Sequence, residues 1–283
     1  LVIDGIRRFG DQFVFATSLA NATARSRRQS DPRITHSFDM LGEGARTAAD
    51  AARSYSAYEA AIAAVGTERQ GADWTARDGV SVKLSAIHPR FETAQLRRVD
   101  EELYPSLLEL ARQAAAAGIN FTLDAEESER LVLHIELLER LMREPALAGW
   151  QGLGLALQAY SPRALVTLER LARHAREWNR PIAIRLVKGA YWDAEIKRAQ
   201  ELGLGGFPVY TRKWATDLSY LAAARVLLAT DAPVYPQFAT HNAMTVAAIV
   251  EYARELAPGR AYEFQRLHGM GEPLYEALLA DEP

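Results

Sequence analysis

The sequence contains no cysteine, no excess of charge of one sign and no long apolar run. Without cysteine, disulfide bonds, thiolate nucleophiles and thiolate metal ligands are all excluded. The 33 basic and 36 acidic residues give a formal net charge of −3, so the chain has no general attraction for nucleic acid or anionic lipid beyond a local patch. No run approaches the ~18 uninterrupted apolar residues of a membrane-spanning helix, so no transmembrane segment is predicted.

Two common ligand motifs are also missing. No G-x-G-x-x-G follows a predicted strand, because "GLGLAL" and "HGMGEP" lack the spacing and "GEGART" lacks the third glycine, and a Rossmann site is therefore not predicted. His88 and His134 have no partner at metal-ligand spacing, so no metal site is predicted either. His134 lies among leucine and isoleucine on a predicted helix, which favours a structural role.

What the sequence does contain is a regular alternation of short apolar runs and long helical patterns. The runs lie at 34–41, 80–87, 120–125, 152–159, 181–188, 234–241 and 261–267. Segments between them, such as 46–66 and 97–118, place apolar residues at helical spacing, and Gly118 is a predicted helix end. Strand–helix alternation predicts a parallel sheet, either doubly wound or closed into a barrel.

The number of units favours the barrel. Seven strand–helix units are present, and the last helix, at 272–283, ends the sequence. A (β/α)8 TIM-type barrel needs eight units. We interpret residues 34–283 as such a barrel with its eighth unit missing, rather than as an open sheet, and residues 1–33 as an N-terminal helical segment.

The predicted strands carry small or polar residues on one face. Residues two apart share a face, which groups Lys83 with Ser81 and Ser85, Asp124 with Thr122, Gln158 with Ala156, Arg185 with Ala183 and Val187, Gln237 with His241, and Gln265 with Leu267. In a barrel the bulky face packs against helices, so the polar set is expected to point inward near the carboxyl ends of the strands. Active sites of such barrels lie there.

The charge of this set predicts the kind of ligand. One lysine or aspartate at a strand end is usually a solvated boundary residue, but several at matching positions favour a site. Lys83, Arg185 and Lys188 against Asp124 leave a positive excess, which suits a phosphate or a carboxylate. Tyr191 and Trp192 follow Gly189 directly, and they are either packing residues or walls for a flat ring ligand.

Long motifs at the strand ends closely resemble the proline dehydrogenase domain of the bacterial proline utilisation A flavoenzymes. They are "SVKLSAIHPRF", "LDAEESERL", "IRLVKGAYWDAEIKRAQ", "VYPQFATHNAMT" and "YEFQRLHGMGEPLYE", and "SFDMLGE" fits the first strand. The resemblance covers residues 34–276. It implies a distorted (β/α)8 barrel that binds FAD and oxidises L-proline to Δ1-pyrroline-5-carboxylate, with electrons passed to a membrane quinone. It also implies a cytoplasmic protein working at the surface of the inner membrane.

The resemblance further implies roles for individual residues. Lys83 is expected to hold the proline carboxylate and to pair with Asp124, while Tyr191 and Leu267 contact the proline ring. The implied catalytic residues are Lys83, Asp124, Arg185 and Tyr191. The implied cofactor contacts are Asp124, Gln158, Arg185, Lys188, Gly189 and Trp192 at the flavin and its ribityl–pyrophosphate tail, His241 and Asn242 at the pyrophosphate, and Thr211 and Lys213 at the adenosine end.

The sequence departs from the family at one place. The family's last strand leads into an eighth helix whose tyrosine and Arg-Arg pair clamp the proline carboxylate, and no such unit occurs in these residues. Lys83 alone is a poor substitute for a bidentate guanidinium. Two alternatives therefore stand beside the flavoenzyme. One is a lyase or aldolase that uses Lys83 or Lys188 as a Schiff-base nucleophile, and the other is a barrel scaffold without turnover.

Overall fold

The computed structural model describes residues 10, 13–29, 31–40, 42, 44–67 and 73–281. Within them, seven parallel strands follow one another across a single curved sheet in chain order. They are β1 (Ser37–Asp39), β2 (Gly79–Val82), β3 (Asn120–Leu123), β4 (Leu153–Gln158), β5 (Ile182–Val187), β6 (Val234–Ala239) and β7 (Glu263–Gln265). All six neighbouring pairs are parallel, which confirms the predicted distorted (β/α) barrel architecture.

Helices connect the strands. They are α1 (Leu19–Ser26), α2 (Ala48–Gly66), α3 (Leu84–Ile87), α4 (Leu96–Arg98), α5 (Tyr104–Ala117), α6 (Leu131–Met142), α7 (Ala164–Glu177), α8 (Trp192–Glu201), α9 (Lys213–Ala229), α10 (Ala243–Leu256) and α11 (Glu272–Asp281). The π-helical turn Val99–Leu103 joins α4 to α5, and 3-10 turns lie at Trp74–Ala76, Thr93–Gln95, Ser128–Arg130 and Pro145–Leu147. No described helix is both long and apolar enough to cross a membrane.

Local chemistry sets the helix ends. A capping box starts α2, in which the Thr47 side chain accepts from the backbone of Asp50 and the Asp50 side chain accepts from the backbone of Thr47. Gly118 ends α5 in the left-handed region at φ 69°, and glycine takes up this conformation without a steric penalty. The helix end predicted at Gly118 is confirmed.

The bulky faces of the strands supply the core, as their alternation predicts. Val82, Phe121 and Ile184 are fully buried and belong to one apolar cluster with helix residues such as Leu107 of α5 and Leu227 of α9. Burial of such side chains between sheet and helices is the main stabilising contribution in a fold of this kind. The opposite face of each strand is therefore left for polar residues.

The predicted strands extend beyond the observed ones, and these extensions misplace Ser85, His241 and Leu267 on strand faces. The run at 80–87 is a strand only to Val82, and Leu84–Ile87 forms α3. Ser85 is thus wrongly placed on the strand face of Lys83, because its backbone N–H donates to the Glu126 side chain instead of to a strand neighbour (3.1 Å). Leu267 likewise lies beyond β7, where its N–H donates to His241 Nε2 (2.9 Å).

The predicted N-terminal helical segment is described only in part. Residues 1–9, 11, 12 and 30 of it lie outside the described residues, as does Leu41 in the first predicted strand. The described part contains α1, which Ser18 caps by accepting from the Asn21 N–H with its side chain.

We expect Gly118→Ala to lower the free energy of unfolding by about 1–2 kcal/mol, because an L-residue in the left-handed region costs about that much. Gly205→Ala is the matched control, since Gly205 is exposed and a β-carbon there meets nothing within 4 Å. Urea unfolding of both variants would measure the difference. Equal stability of the two variants would contradict the assigned helix end.

Candidate active site

A single carboxylate, that of Asp124, joins two cations inside the curve of the sheet. Asp124 directly follows β3, Lys83 directly follows β2, and Arg185 lies on β5. Lys83 Nζ donates to Asp124 Oδ2 at 3.1 Å, and Arg185 donates to Asp124 Oδ1 at 2.8 Å. The side chains of Lys83, Asp124 and Arg185 are only 9%, 14% and 11% exposed, respectively. Buried charges persist in such places only when paired, and this cluster meets that condition.

The first strand contributes two residues that the sequence analysis missed. Lys83 Nζ also donates to both carboxylate oxygens of Asp39, at 2.8 and 3.0 Å. Arg185 donates to Ser37 Oγ (2.8 Å) and to Ser81 Oγ (2.9 Å). Ser37 and Asp39 are two residues apart in the predicted first strand, so the same parity argument that found Lys83 could have found them.

Asp39 changes the expected electrostatics of the site. Lys83 and Arg185 now face Asp39 and Asp124, so two positive charges meet two negative ones and this cluster carries no net charge. The positive excess inferred from the sequence is wrong for this part of the site, because Asp39 was left out. Burial disfavours the charged form of Lys83, but Asp124 and Asp39 outweigh it and raise the pKa of the ammonium.

A row of polar side chains continues from Arg185 toward β7. Arg185 is in register with Gln237 of β6, and Gln237 is in register with Glu263 of β7. Glu263 accepts from Gln237 (2.9 Å), Gln265 (2.6 Å) and Tyr235 (3.3 Å). Burial raises the pKa of the Glu263 carboxyl. Among the described residues, Arg185 Nε and Gln237 Oε1 are buried without a hydrogen-bond partner.

A second charged cluster lies beyond the end of β5. Lys188 and Lys213 share the carboxylate of Asp217, each at 2.5 Å. Lys188 Nζ also lies 3.5 Å from Thr245 Oγ1 in α10. Asn242, the residue before α10, caps the helix by accepting from the Thr245 N–H with its side chain. This cluster carries one net positive charge, because two lysines meet one aspartate. A cationic cluster beside a helix N-terminus is suited to an anion.

Three further predicted residues, His241, Leu267 and Thr211, lie in loops of this region. His241 precedes the cap of α10, and burial and Arg266 lower its pKa, so the neutral ring accepts the Leu267 N–H (2.9 Å). Leu267 itself is 65% exposed. Thr211 is exposed just before α9. These residues lie in the segments that follow β6 and β7 and that precede α9.

The turn between β5 and α8 carries the remaining predicted residues. Gln158, the last residue of β4, accepts the Ala190 N–H (3.1 Å) and donates to the Glu126 carbonyl (2.8 Å). Gly189 has φ 138°, Tyr191 precedes α8, and Trp192 opens that helix with 41% of its surface exposed. The Gln158 side chain thus joins the turn at Ala190 to the backbone at Glu126.

The carboxylate of Glu126, next to the loop that Gln158 contacts, is held by several neighbours. It accepts from the Ser85 N–H (3.1 Å) and from Arg130 (2.6 Å), and it lies 3.6 Å from His134 Nε2. Burial opposes ionisation, but His134 and Ser85 outweigh it and lower the pKa of Glu126 to about 2. His134 is buried and packs edge-on against Phe91, so it has the structural role that its sequence context favours.

A parallel barrel with ionised and amide side chains at the carboxyl ends of its strands defines a barrel enzyme with an interior polar site. The family model described as "Proline dehydrogenase" matches residues 21–283. The chain belongs to the proline dehydrogenase family, a family of oxidoreductases. The family that the sequence motifs indicated is confirmed, and the Schiff-base lyase alternative is not favoured.

Individual relatives agree with this assignment. The chain is 52% identical over 274 residues to "Bifunctional protein PutA" of Escherichia coli K12, covering 96% of this chain and 21% of that protein. It is 46% identical over 274 residues to the protein of that name from Rhizobium meliloti, covering 97% of this chain and 22% of that protein. The chain thus spans about a fifth of the length of the curated relatives it matches.

Solved structures show the same fold. A mutant of Bradyrhizobium japonicum proline utilization A matches with a TM-score of 0.88 and 49% identity, covering 97% of this chain and 28% of that one. Proline utilization A of Bdellovibrio bacteriovorus, inactivated by N-propargylglycine, matches with a TM-score of 0.91 and 28% identity, covering 99% of this chain and 30% of that one.

The lowered pKa of Glu126 predicts acid sensitivity. A carboxyl whose folded pKa is about 2 against an ordinary 4.5 contributes stability above pH 4.5 that is lost as the pH falls toward 2. We expect a loss of about 2–3 kcal/mol over this range, and Glu126→Gln is expected to remove it. Urea unfolding at several pH values would measure the effect.

Glu102→Gln is the control for this experiment. The pKa of Glu102 is also lowered to about 2, by Arg98 and His88, but its side chain is 46% exposed. Solvent screens such a pair, so this variant should leave the acid profile close to that of the original chain. An unchanged profile in Glu126→Gln would show that Glu126 does not stabilise the fold.

Proposed function

We propose that this chain oxidises L-proline to Δ1-pyrroline-5-carboxylate with FAD as the oxidant, as the first step of proline catabolism, and that the electrons pass to a membrane quinone. The observation that carries the proposal is the pairing of Lys83 and Arg185 on Asp124 inside the barrel of a member of the proline dehydrogenase family. The quinone and a cytoplasmic place beside the membrane are supported by the resemblance alone.

The donor set fits FAD. A flavin presents carbonyl oxygens and ring nitrogens, and the buried Arg185 Nε and Gln237 Oε1 offer it a donor and an acceptor that no described residue uses. The pyrophosphate is an anion, and Lys188 with the N-terminus of α10 forms the kind of site that binds one. We infer that Gln158, Arg185 and Asp124 lie at the flavin end, with Lys188, Gly189 and Trp192 along the tail.

The outer contacts are inferred in the same way. His241 and Asn242, next to the start of α10, would lie near the pyrophosphate, and Thr211 and Lys213, at the start of α9, near the adenosine. Bound FAD would supply the two-electron oxidant for removal of a hydride from the ring carbon next to the proline amine. The other steps depend on side chains of the chain itself.

Lys83 is proposed to bind the proline carboxylate, but its ammonium already has three acceptor contacts, two from Asp39 and one from Asp124. A carboxylate can therefore reach Lys83 only if one aspartate yields. Asp39 is 44% exposed and Asp124 is 14% exposed, so movement of Asp39 into solvent costs less. Asp124, which also holds Arg185, would stay in place.

Protonation of the site predicts how the rate depends on pH. Hydride loss requires a neutral proline amine, so one proton must leave the substrate first. Lys83 cannot accept it, because Asp124 and Asp39 keep its pKa raised and the ammonium charged. The proton is expected to reach solvent through the more exposed Asp39, and the rate is expected to rise with pH.

Arg185 is proposed to stabilise the negative charge that accumulates on the cofactor side during the reaction. Its guanidinium is held by Asp124, Ser81 and Ser37, so it needs no reorganisation when that charge develops. Tyr191 and Leu267 are proposed as walls of the substrate space, where exclusion of water strengthens each of these interactions.

A flavin spectrum tests the proposal directly. We expect the purified chain, or the chain reconstituted with FAD, to be yellow, and we expect L-proline to bleach the flavin absorbance under anaerobic conditions. Protein that cannot be reconstituted with FAD would contradict the proposal. FAD binding without bleaching would instead favour a scaffold without turnover, and covalent trapping of a keto acid by borohydride would favour the lyase.

Two lysine variants separate the two ends of the site. Lys83→Met should raise the KM for L-proline by roughly 10- to 100-fold, the equivalent of losing a charge-assisted hydrogen bond, with the Kd for FAD unchanged. Lys213→Met should instead raise the Kd for FAD and leave the KM for L-proline unchanged. The increase should be less than about fivefold, because Lys213 is 78% exposed.

Lys197→Met is the matched control for both lysines. Lys197 is exposed on α8 and pairs with Glu201, away from either charged cluster, so neither constant should change. Steady-state kinetics and flavin fluorescence titration provide the two measurements. An equal effect of Lys83→Met on both constants would count against a carboxylate-binding role for Lys83.

A further inference from the structure

Tyr160 lies directly behind the turn that joins β5 to α8. It follows β4 by two residues and is 2% exposed. Its N–H donates to the Lys188 carbonyl at 2.8 Å, and the Ala159 N–H donates to the Val187 carbonyl at 2.8 Å. The parallel pairing of β4 with β5 therefore continues past the ends of both strands, up to the turn itself.

The ring of Tyr160 packs so closely against Gly189 that it leaves no space for a side chain there. A β-carbon at Gly189 would lie 2.5 Å from Cγ and 2.6 Å from Cε2 of the Tyr160 ring. Real β-carbons do not approach other atoms so closely, so a side chain at Gly189 would have to displace the ring. The φ of 138° at Gly189 also excludes most L-residues. The turn conformation and the buried ring thus depend on each other.

Tyr160 also holds the segment that precedes α9. Its carbonyl accepts the Tyr210 N–H at 2.8 Å. The carbonyl of Tyr210 in turn accepts the indole N–H of Trp192 at 2.8 Å. Three segments that are separate in sequence therefore meet at Tyr160: the end of β4, the turn at 188–191 and the approach to α9.

We propose that Tyr160 is a positioning residue for the cofactor site, acting through its ring on Gly189 and through its backbone on Lys188 and Trp192. The inference rests on the proposed function, because it assigns a role toward FAD. Tyr160 is 2% exposed and its side chain packs on the turn, so the proposed role is indirect. Its effect is to fix the backbone from which Lys188 and Trp192 project, in the way that supporting residues hold a preorganised site.

The competing explanation is that Tyr160 is an ordinary core aromatic. In that case its removal would lower stability and would affect cofactor binding only as far as any core variant does. Leu107→Ala is the matched control, because Leu107 is fully buried in α5, which packs against α2 and β3. Tyr160→Phe keeps the ring that touches Gly189, so it should rescue whatever Tyr160→Ala loses.

The experiment measures FAD affinity, hydrogen exchange without FAD and the unfolding midpoint for these three variants. Tyr160→Ala should raise the Kd for FAD by roughly tenfold or more, while Tyr160→Phe stays within about twofold of the original chain. In the absence of FAD, amide exchange in the 188–192 segment and at Tyr210 should speed up in Tyr160→Ala. Leu107→Ala should lower the midpoint without either change.

A double variant tests the steric contact itself. Gly189→Ala should weaken FAD binding in the original chain, and it should cost less in the Tyr160→Ala background, where the ring is gone. An equal cost in both backgrounds would overturn the proposal, as would an unchanged Kd in Tyr160→Ala or an equal loss in Leu107→Ala. Failure of the original chain to bind FAD would instead defeat the proposed function, and the exchange rates would still test the role of Tyr160 in the turn.

Discussion

The interior of this barrel depends on the shared carboxylate of Asp124. Two cations that are nearly excluded from water, Lys83 and Arg185, meet on its two oxygens. Replacing a buried ionic group by itself leaves its partners charged and unpaired, which is more costly than the pair was worth. The hydroxyls of Ser37 and Ser81 and the carboxylate of Asp39 are present because each satisfies a charge that Asp124 alone does not.

A contact in the cluster around Asp124 shows that the sheet is curved. Arg185 on β5 donates to Ser37 on β1 at 2.8 Å, although β1 and β5 are four strand intervals apart in the sheet order. In a flat sheet these strands would lie roughly 19 Å apart at ~4.8 Å per interval, beyond the reach of one arginine side chain. The contact exists because the sheet curls, so the barrel geometry creates the site. The polar row through Gln237 to Glu263 extends it around the remaining strands.

Alternation of apolar and polar residues predicted all seven strands and the inward direction of Arg185, because a two-residue period is local information. It failed where a tertiary contact decides the backbone: Ser85 leaves the strand pattern since Glu126, some forty residues later, accepts its N–H. Asp39 shares the strand face of Ser37, so the same two-residue period could have placed it in the site. Asp217 could not be found in this way, because it lies on α9 and nothing in the local sequence shows that its carboxylate faces Lys188 from another element. The resemblance to a family supplied a role for Lys188 but not for this partner.

These two carboxylates define how the site can discriminate between ligands. Asp39 holds Lys83, and Asp217 holds both Lys188 and Lys213. An anion that offers charge alone must displace a carboxylate that already provides it, and so gains little. A ligand that also fills the space beside Trp192 and bonds to Arg185 gains interactions that Asp39 and Asp217 cannot supply. We therefore expect the pairing of the lysines to lower affinity for small anions more than for an extended or ring-shaped ligand, because an opposing group produces specificity.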